Sequence, residues 1–306
     1  MKVKITYHIM PYEIDYALVS YIQLKKARYH IPRNIDIHID TVMNCSNYLI
    51  DWDKSILPKS FFIEKFNDLN ILLNDYNVNP KIYEGDECYG LLDMQRESYC
   101  GADYYMNITP DMYFSEHLLP IMFEAAKIIN NKYFVLTPEI HKMWDNTWDE
   151  ITNPRYMDVP YADWNSTDVF EIRHNMKMEN KDLMLQPTVR SKWAWWLDLY
   201  NRDFYEEFAP VQDDWYGYGP WDWWSLMLTE FAKSKGADFQ EYVLRGQTIF
   251  EYPIGSLKGK GFVSYHKKYL NIKRSTQEQR DRFEANMNLY LERGIKHLYN
   301  KGILLH

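Results

Sequence analysis

Cysteine is scarce in this sequence: three of its 306 residues are cysteines, Cys45, Cys88 and Cys100, and their spacing matches no metal-binding motif. An odd number of scattered thiols does not form a disulfide framework, so we expect reduced cysteines in a cytoplasmic protein. The N-terminal residues lack the apolar stretch of a signal peptide. No run approaches the roughly 20 apolar residues that a transmembrane helix needs.

An excess of positive charge is also missing, because 35 basic residues face 43 acidic ones and the formal net charge is −8. A broad nucleic-acid-binding face would need clustered lysines and arginines, so the charge balance disfavours one. No Gly-x-Gly-x-x-Gly follows the first strand, and no Gly-x-x-x-x-Gly-Lys-Ser/Thr occurs. The sequence therefore gives little support to a dinucleotide-binding protein or a phosphate-loop enzyme.

Aromatic residues, in contrast, are abundant: they make up 17% of the chain and include 26 tyrosines and 11 tryptophans. Such rings stack on sugar faces and bases, but they also fill protein cores, and composition alone leaves both uses open. The apolar content of 46% and the length are sufficient for one large α/β domain.

The first forty residues follow a strand, helix, strand order. Val3–Tyr7 has a strand pattern, apolar residues from Ile14 to Leu24 recur at helical spacing, and Ile35–Ile39 alternates with period two and ends on Asp40. This order is the opening of a nucleotide-binding βαβ unit. Three further helical regions are predicted: Ile63–Leu73, a helix that follows Ser115 as its N-cap, and the region from Lys192 onward. Three further strands are predicted at Pro80–Tyr83, Tyr133–Leu136 and Phe239–Leu244.

The segment Gly101–Asp111 predicts a buried strand that ends on an acid. Tyr104–Ile108 contains no strand breaker, and Pro110 must end the strand because it cannot donate to a sheet ladder. Asp111 then lies at the carboxyl end of the strand, where open α/β sheets bind ligands. The alternative is that Asp111 is an ordinary turn residue or helix cap.

Two segments carry a resemblance to a known family. Ala102–Ile108 followed by Thr109-Pro110-Asp111 resembles the strand and Asp-x-Asp motif of GT-A-type glycosyltransferases, including family 2, although Thr109 replaces the first acid. Gly217–Asp222 resembles the glycine-rich loop and helix-start acid of the same family, with Trp221 in place of a companion Glu.

The resemblance implies a set of site residues. Asp111 and His266 would hold Mn²⁺ or Mg²⁺ against the diphosphate of a nucleotide sugar, and Asp222 would act as the catalytic base. Residues implied in binding the donor are His8, Asp40, Arg96, Thr109, Lys258 and Lys260. Each has a plainer alternative, as a loop residue, a surface charge or, for Asp222, a helix cap.

The predicted fold class is α/β: a GT-A-like single domain with a mostly parallel nucleotide-binding sheet flanked by helices. Residues 1–270 would form the catalytic domain, with a nucleotide-sugar-binding half at 1–139 and an acceptor half with a closing loop at 140–270. An aromatic-rich insertion, with a short strand at Val169–Arg173, follows residue 140. Residues 271–306 would form a C-terminal helical extension.

The predicted function is transfer of a sugar from a UDP-sugar or similar donor to a hydroxyl acceptor, with inversion and with Asp213 or Asp214 as reserve bases. The acceptor would be a glycan, a lipid or another hydroxyl compound; a modified DNA base is an alternative that the net charge disfavours. Two alternatives stay open: a non-catalytic carbohydrate-binding protein on the same scaffold, motivated by Thr109 and the aromatic excess, and a two-carboxylate glycoside hydrolase.

Overall fold

The computed structural model describes residues 1–86, 94, 101–141, 149–157, 183–188, 197–208, 232–233, 235–251 and 265–273. The helices of this part are α1 (Ile14–Arg28), α2 (Lys59–Ile71), α3 (Leu118–Ile128) and α4 (Arg202–Phe208). The strands are β1 (Lys2–Ile9), β2 (Asp36–Asn44), β3 (Asn77–Tyr83), β4 (Tyr104–Ile108), β5 (Met112–Tyr113), β6 (Tyr133–Ile140), β7 (Met184–Thr188), β8 (Leu197–Asn201) and β9 (Phe239–Glu251).

The nine strands form one sheet in the order β3-β2-β1-β4-β8-β6-β9-β5, with β7 paired to β9. The β1–β2, β1–β4, β2–β3 and β6–β9 pairs are parallel, whereas β8 runs antiparallel to both β4 and β6. Six strands therefore point the same way, and their carboxyl ends meet at one edge of the sheet. This architecture confirms the predicted class of an α/β protein whose sheet is mostly parallel and flanked by helices.

One face of the sheet is apolar because alternate residues of each strand point to it. On β1 the series Val3, Ile5, Tyr7 and Ile9 is fully buried and belongs to the main hydrophobic core. Helices α1 and α2 contribute residues to the same core, and the Tyr7 ring meets Tyr21 of α1 edge-on at 4.9 Å between centroids. Burial of these side chains fixes the two helices on this face.

The opposite face carries a row of polar residues in register across neighbouring strands. Asp40 of β2, Thr6 of β1, Asn107 of β4 and Asp198 of β8 are consecutive partners, and all four are buried. The Thr6 hydroxyl donates to Asn107 Oδ1 at 2.5 Å, and Asn107 donates to the Tyr200 hydroxyl at 3.3 Å. Burial raises the pKa of Asp198 well above its usual value, so this carboxyl is favoured in its neutral form.

Strand β8 corrects the prediction of a helix from Lys192 onward. The described residues Leu197–Asn201 form a strand between β4 and β6, with Leu197 and Leu199 buried and Asp198 on the other face. Pairing on both sides outweighs the local preference, because each neighbour satisfies one row of backbone groups. Helix α4 follows directly, and the Asn201 side chain accepts a hydrogen bond from the Phe204 amide at 3.0 Å.

Several predicted boundaries were also wrong. Strand β2 continues past Asp40 to Asn44, β6 continues through Thr137-Pro138 to Ile140, and β9 continues to Glu251. Pro138 is tolerated because the β6–β9 register shifts directly after it, which is where a sheet accommodates proline. Ser115 does not cap α3: His117 is the N-cap, and its amide donates to Ser115 Oγ.

Other predictions fall outside the described residues, namely the strand at Val169–Arg173 and the helix after Ser275. The strands of residues 1–139 and those of residues 197–251 share a single sheet. Cys45 is buried and is not disulfide-bonded, and burial raises the pKa of its thiol to about 12. In the part of the chain that is described, no helix has both the length and the apolar character to span a membrane.

His141, directly after β6, makes the stability of the protein depend on pH. Its ring is 1% exposed and stacks on Phe250 at 5.8 Å, and burial lowers its pKa to about 4. The unfolded chain takes up a proton below about pH 6.5, whereas the folded chain does not until about pH 4. The contribution of the neutral His141 ring to the unfolding free energy is therefore fully present above pH 6.5 and is lost as the pH falls to 4. The unfolding free energy changes by about 2–3 kcal/mol over this range for this reason.

We therefore expect His141→Phe, which keeps the stacking, to reduce by about 2–3 kcal/mol the rise in unfolding free energy between pH 4 and 6.5. Urea titrations across this range measure the difference from wild type, which is needed because buried carboxyls such as Asp198 shift the stability in the opposite direction. His38→Phe, at a partly exposed position on β2, is the control for replacing a histidine elsewhere in the sheet. Identical slopes in wild type and His141→Phe would contradict the prediction.

Candidate functional site

The candidate site lies at the edge of the sheet where β1, β2, β3 and β4 end, which we call the rim. These strands end at Ile9, Asn44, Tyr83 and Ile108. Ligands of α/β sheets bind outside the carboxyl ends of parallel strands, so the segments that follow these four residues are the ones to inspect.

The turn Thr109-Pro110-Asp111 follows β4 at the rim, as predicted. The Met112 amide closes it on the Thr109 carbonyl at 3.4 Å, and Ser20 of α1 donates to the Pro110 carbonyl at 3.3 Å. The Thr109 hydroxyl oxygen and Asp111 Oδ1 are both enclosed, and neither has a hydrogen-bond partner among the described residues. Buried oxygens without a partner are rare in folded proteins and often mark a site for an ion or water.

Burial raises the pKa of the Asp111 carboxyl to about 6, while the Thr109 hydroxyl and the backbone act in the opposite direction. The hydroxyl is close enough to act on the carboxyl, although the two are not in hydrogen-bond geometry. The negative charge of Asp111 is also felt by the Tyr7 phenol, whose pKa is raised mainly by burial and partly by this acid. Asp111 is therefore a carboxylate held in a poorly solvated place.

A hard divalent cation fits this pair of oxygens. Mg²⁺ and Mn²⁺ prefer carboxylate and other oxygen ligands, and Thr109 and Asp111 supply one neutral and one acidic oxygen side by side. A cation would also relieve the cost of burying the Asp111 charge. The donor set thus agrees with the divalent metal that the resemblance implies.

His8 reaches the rim from β1. Its ring is 9% exposed, and Nε2 lies 3.4 Å from the Asn44 side-chain nitrogen at the end of β2. Ile9 points to the opposite face and is fully buried in the core, so its side chain does not face the rim. Strand alternation forbids neighbours such as His8 and Ile9 from sharing a face.

Sequence reasoning missed a polar group beyond the ends of β2 and β3. The Asn44 side chain accepts a hydrogen bond from the Ser46 amide at 3.2 Å, and Asn47 donates to Asp86 at 2.8 Å. The Asn47 amide also bonds to the Gly85 carbonyl, which ties the two loops together. The signal was available: Asn44 ends an apolar run, and Ser46 and Asn47 follow it, but the strand was predicted to end four residues earlier.

Asp40 does not occupy the position predicted for it. It lies in the middle of β2 and forms an ion pair with Lys4 of β1, at 2.6 Å between Nζ and Oδ2. Both residues are only 8% exposed, and Asn79 donates to the other carboxylate oxygen at 3.3 Å. The interactions of Asp40 are those of a structural residue within the sheet.

The 3-10 turn Tyr265–Tyr269 packs at the rim against Pro11–Glu13, the turn that follows β1. The Lys267 ammonium lies 5.5 Å from the centre of the Tyr12 ring, and the Lys273 amide bonds to the Leu49 carbonyl at 2.8 Å. The backbone of His266 thus runs beside the end of β1, while its side chain lies outside the described part of the structure.

The remaining predicted site residues lie outside the described ranges: Arg96, Asp213, Asp214, Asp222, Lys258 and Lys260. Their positions relative to the rim stay predictions. Of the predicted residues that are described with their side chains, His8, Thr109 and Asp111 lie at the rim and Asp40 does not.

Comparisons with known proteins gave matches among solved structures only. TarS residues 1–349 of S. aureus align over 82% of this chain and 60% of that one, at 11% identity and a TM-score of 0.47. GalNAc-T7, solved with UDP, GalNAc and Mn²⁺, aligns over 82% and 44%, at 10% identity and a TM-score of 0.48. This chain spans less than two thirds of either protein. No protein-family model and no curated protein matches the sequence.

Proposed function

We propose that this protein is a GT-A-like glycosyltransferase that transfers a sugar from a nucleotide-diphosphate donor, with UDP-sugars favoured. The observation that carries the proposal is the pair of enclosed oxygens, Thr109 Oγ1 and Asp111 Oδ1, at the carboxyl end of β4. They stand where the resemblance puts its Asp-x-Asp motif. The strand order β3-β2-β1-β4 brings the ends of four parallel strands together beside them.

In this proposal each part of the rim has its own task. Asp111 and Thr109 would hold Mn²⁺ or Mg²⁺, which when bound supplies charge neutralisation for the leaving diphosphate. His8 and the polar group at Asn44, Ser46 and Asn47 lie near the ends of β1 and β2, where a nucleoside would be recognised. The turn that contains His266 runs along the same rim, and its lysine Lys267 would add positive charge near the phosphates.

The chemical step needs a base that accepts the proton of the acceptor hydroxyl, and Asp222 remains our candidate by resemblance. Attack on the anomeric carbon opposite the leaving diphosphate would then invert its configuration. The net charge of −8 disfavours a nucleic-acid acceptor, so a glycan, a lipid or another hydroxyl compound is the proposed acceptor.

The proposal predicts that a divalent metal strengthens the binding of UDP. Calorimetric titration of UDP should give at least a tenfold higher affinity with Mn²⁺ than with EDTA, because the diphosphate reaches Asp111 through the cation. A panel of UDP-sugars with Mn²⁺ should then show sugar release or transfer. Stabilisation by free sugars with no response to UDP and Mn²⁺ would instead support the carbohydrate-binding alternative, and sugar release from glycosides without nucleotide would support the hydrolase.

A further inference from the structure

We propose that His30, Glu116 and His117 form a second metal site that binds zinc or a similar transition-metal ion. In the described part of the chain, these three residues place one ligand atom each so that all lie within 4.8 Å of one another. Nε2 of His30 lies 3.6 Å from Glu116 Oε1, and Nε2 of His117 lies 3.8 Å from the same oxygen. Two imidazoles therefore converge on one carboxylate oxygen.

These distances are close to those of a tetrahedral zinc site. With metal–ligand bonds of about 2.0–2.1 Å, two ligands at a tetrahedral angle are roughly 3.3 Å apart. The observed separations of 3.6 and 3.8 Å exceed this by only a few tenths of an ångström. The two rings are 4.3 Å apart between centroids and inclined by 60°, so they do not stack face to face. The three ligand atoms all lie within 4.8 Å of one another, so side-chain rotation would have to bring them closer around one ion.

The backbone positions the cluster at the meeting point of two helices. His30 lies two residues beyond the end of α1, and Glu116 and His117 directly precede α3. The His117 amide donates to Ser115 Oγ at 3.2 Å, and the His30 amide donates to the Ala27 carbonyl at 2.9 Å, so both segments are held locally. An ion bound here would join the α1–β2 loop to the start of α3.

The chemistry of the ligands separates this site from the rim. Two imidazole nitrogens and one carboxylate suit Zn²⁺, Ni²⁺, Co²⁺ or Cu²⁺, whereas the all-oxygen pair of Thr109 and Asp111 suits Mg²⁺ or Mn²⁺. The side chains of His30 and Glu116 are each 39% exposed, so water can fill the remaining coordination position. The helix dipole makes the carboxyl end of α1 favourable for a cation beside His30. This effect offsets the dipole at the amino end of α3, which disfavours a cation beside Glu116 and His117.

The test is zinc binding by the full-length chain after chelator treatment, without nucleotide. Calorimetry should show one Zn²⁺ per chain and at least a thousandfold weaker binding of Mg²⁺, and Co²⁺ should give the visible absorption of a tetrahedral nitrogen–oxygen site. His30→Ala and His117→Ala should each weaken Zn²⁺ binding by at least about a hundredfold, since even outer-shell partners cost 10–100-fold. Glu116→Gln, which keeps the side-chain size, should weaken it as well.

The matched control is His38→Ala. His38 is another partly exposed histidine beside a carboxylate, with Nε2 2.8 Å from Asp36 Oδ2, and it should leave Zn²⁺ affinity unchanged. Circular dichroism and melting temperature verify the fold of each variant. The proposal is overturned if His30→Ala binds zinc as tightly as the wild type does. It is also overturned if the wild type, at a concentration 100-fold above that of contaminating trace metal, binds no added zinc. Asp111→Asn should bind Zn²⁺ normally, so this result is independent of the glycosyltransferase proposal.

Discussion

Asp111→Asn is expected to lower metal-dependent sugar transfer by about 10³-fold or more while making the fold more stable. The loss corresponds to roughly 4 kcal/mol of transition-state stabilisation, the scale expected when a divalent cation loses its only acidic ligand on this turn. The gain in stability follows from the pKa of about 6, because at pH 7 the folded protein holds a poorly solvated negative charge. Removing that charge should raise the unfolding free energy by about 1–3 kcal/mol.

The measurement combines UDP-sugar turnover with urea denaturation at pH 7 and at pH 4.5. A raised carboxyl pKa contributes stability at low pH that is lost as the pH rises through about 6, so the advantage of the variant should be larger at pH 7. The control is Asp103→Asn at the other end of the same strand, where the carboxylate is exposed and bonds to the Lys2 amide at 2.8 Å. Full activity in Asp111→Asn together with a loss in Asp103→Asn would reject the assignment of the rim as the active site.

Asp40→Ala is expected to destabilise the protein by about 3–5 kcal/mol without changing the affinity for UDP. The substitution leaves the Lys4 ammonium buried and uncompensated, since the two side chains are 10% and 11% exposed and lie 2.6 Å apart. Breaking a buried pair costs far more than its net contribution, because the remaining charge is not solvated. The position in mid-strand, away from the rim, is the reason to expect unchanged UDP binding.

A double variant separates the two causes. Replacing the pair together, as Lys4→Met with Asp40→Leu, should recover most of the stability, because no charge is left unpaired. The Asp51–Lys54 pair, whose lysine is exposed, is the control, and Lys54→Ala should leave the urea midpoint of unfolding nearly unchanged. Chemical denaturation gives the energies and calorimetry gives the UDP affinity. If Asp40→Ala keeps its stability and loses UDP binding, Asp40 contacts the nucleoside after all.

Local sequence patterns were sufficient to predict those helices and strands whose own residues determine their conformation. Strand β4 was predicted from its run of aromatic and apolar residues, and it ends at Ile108, just before the predicted break at Pro110. Periodicity identified α1 and α2 because their buried faces recur at helical spacing.

The failures arise where distant partners decide the outcome. Leu197–Asn201 is a strand because β4 and β6 pair with it on both sides, which no local window contains. Asp40 was placed at a strand end because the alternating pattern of Ile35–Ile39 stops there, whereas Lys4 compensates its charge within the sheet and β2 continues. No sequence pattern indicates that His30 lies close to Glu116 and His117. The Glu116 Oε1 atom lies near both histidine rings only after α1 and α3 have packed.

The place of β8 between β4 and β6 has a consequence for how the chain is made. In the described structure both strands that pair with β6 come from residues 197 onward. When the first 140 residues have left the ribosome, β6 therefore has no partner strand and cannot join the sheet. Such non-local pairing delays folding until late in synthesis and exposes strand edges in the meantime. A fragment that stops after β6 should therefore aggregate, and supplying residues from β8 onward as a separate polypeptide should rescue it.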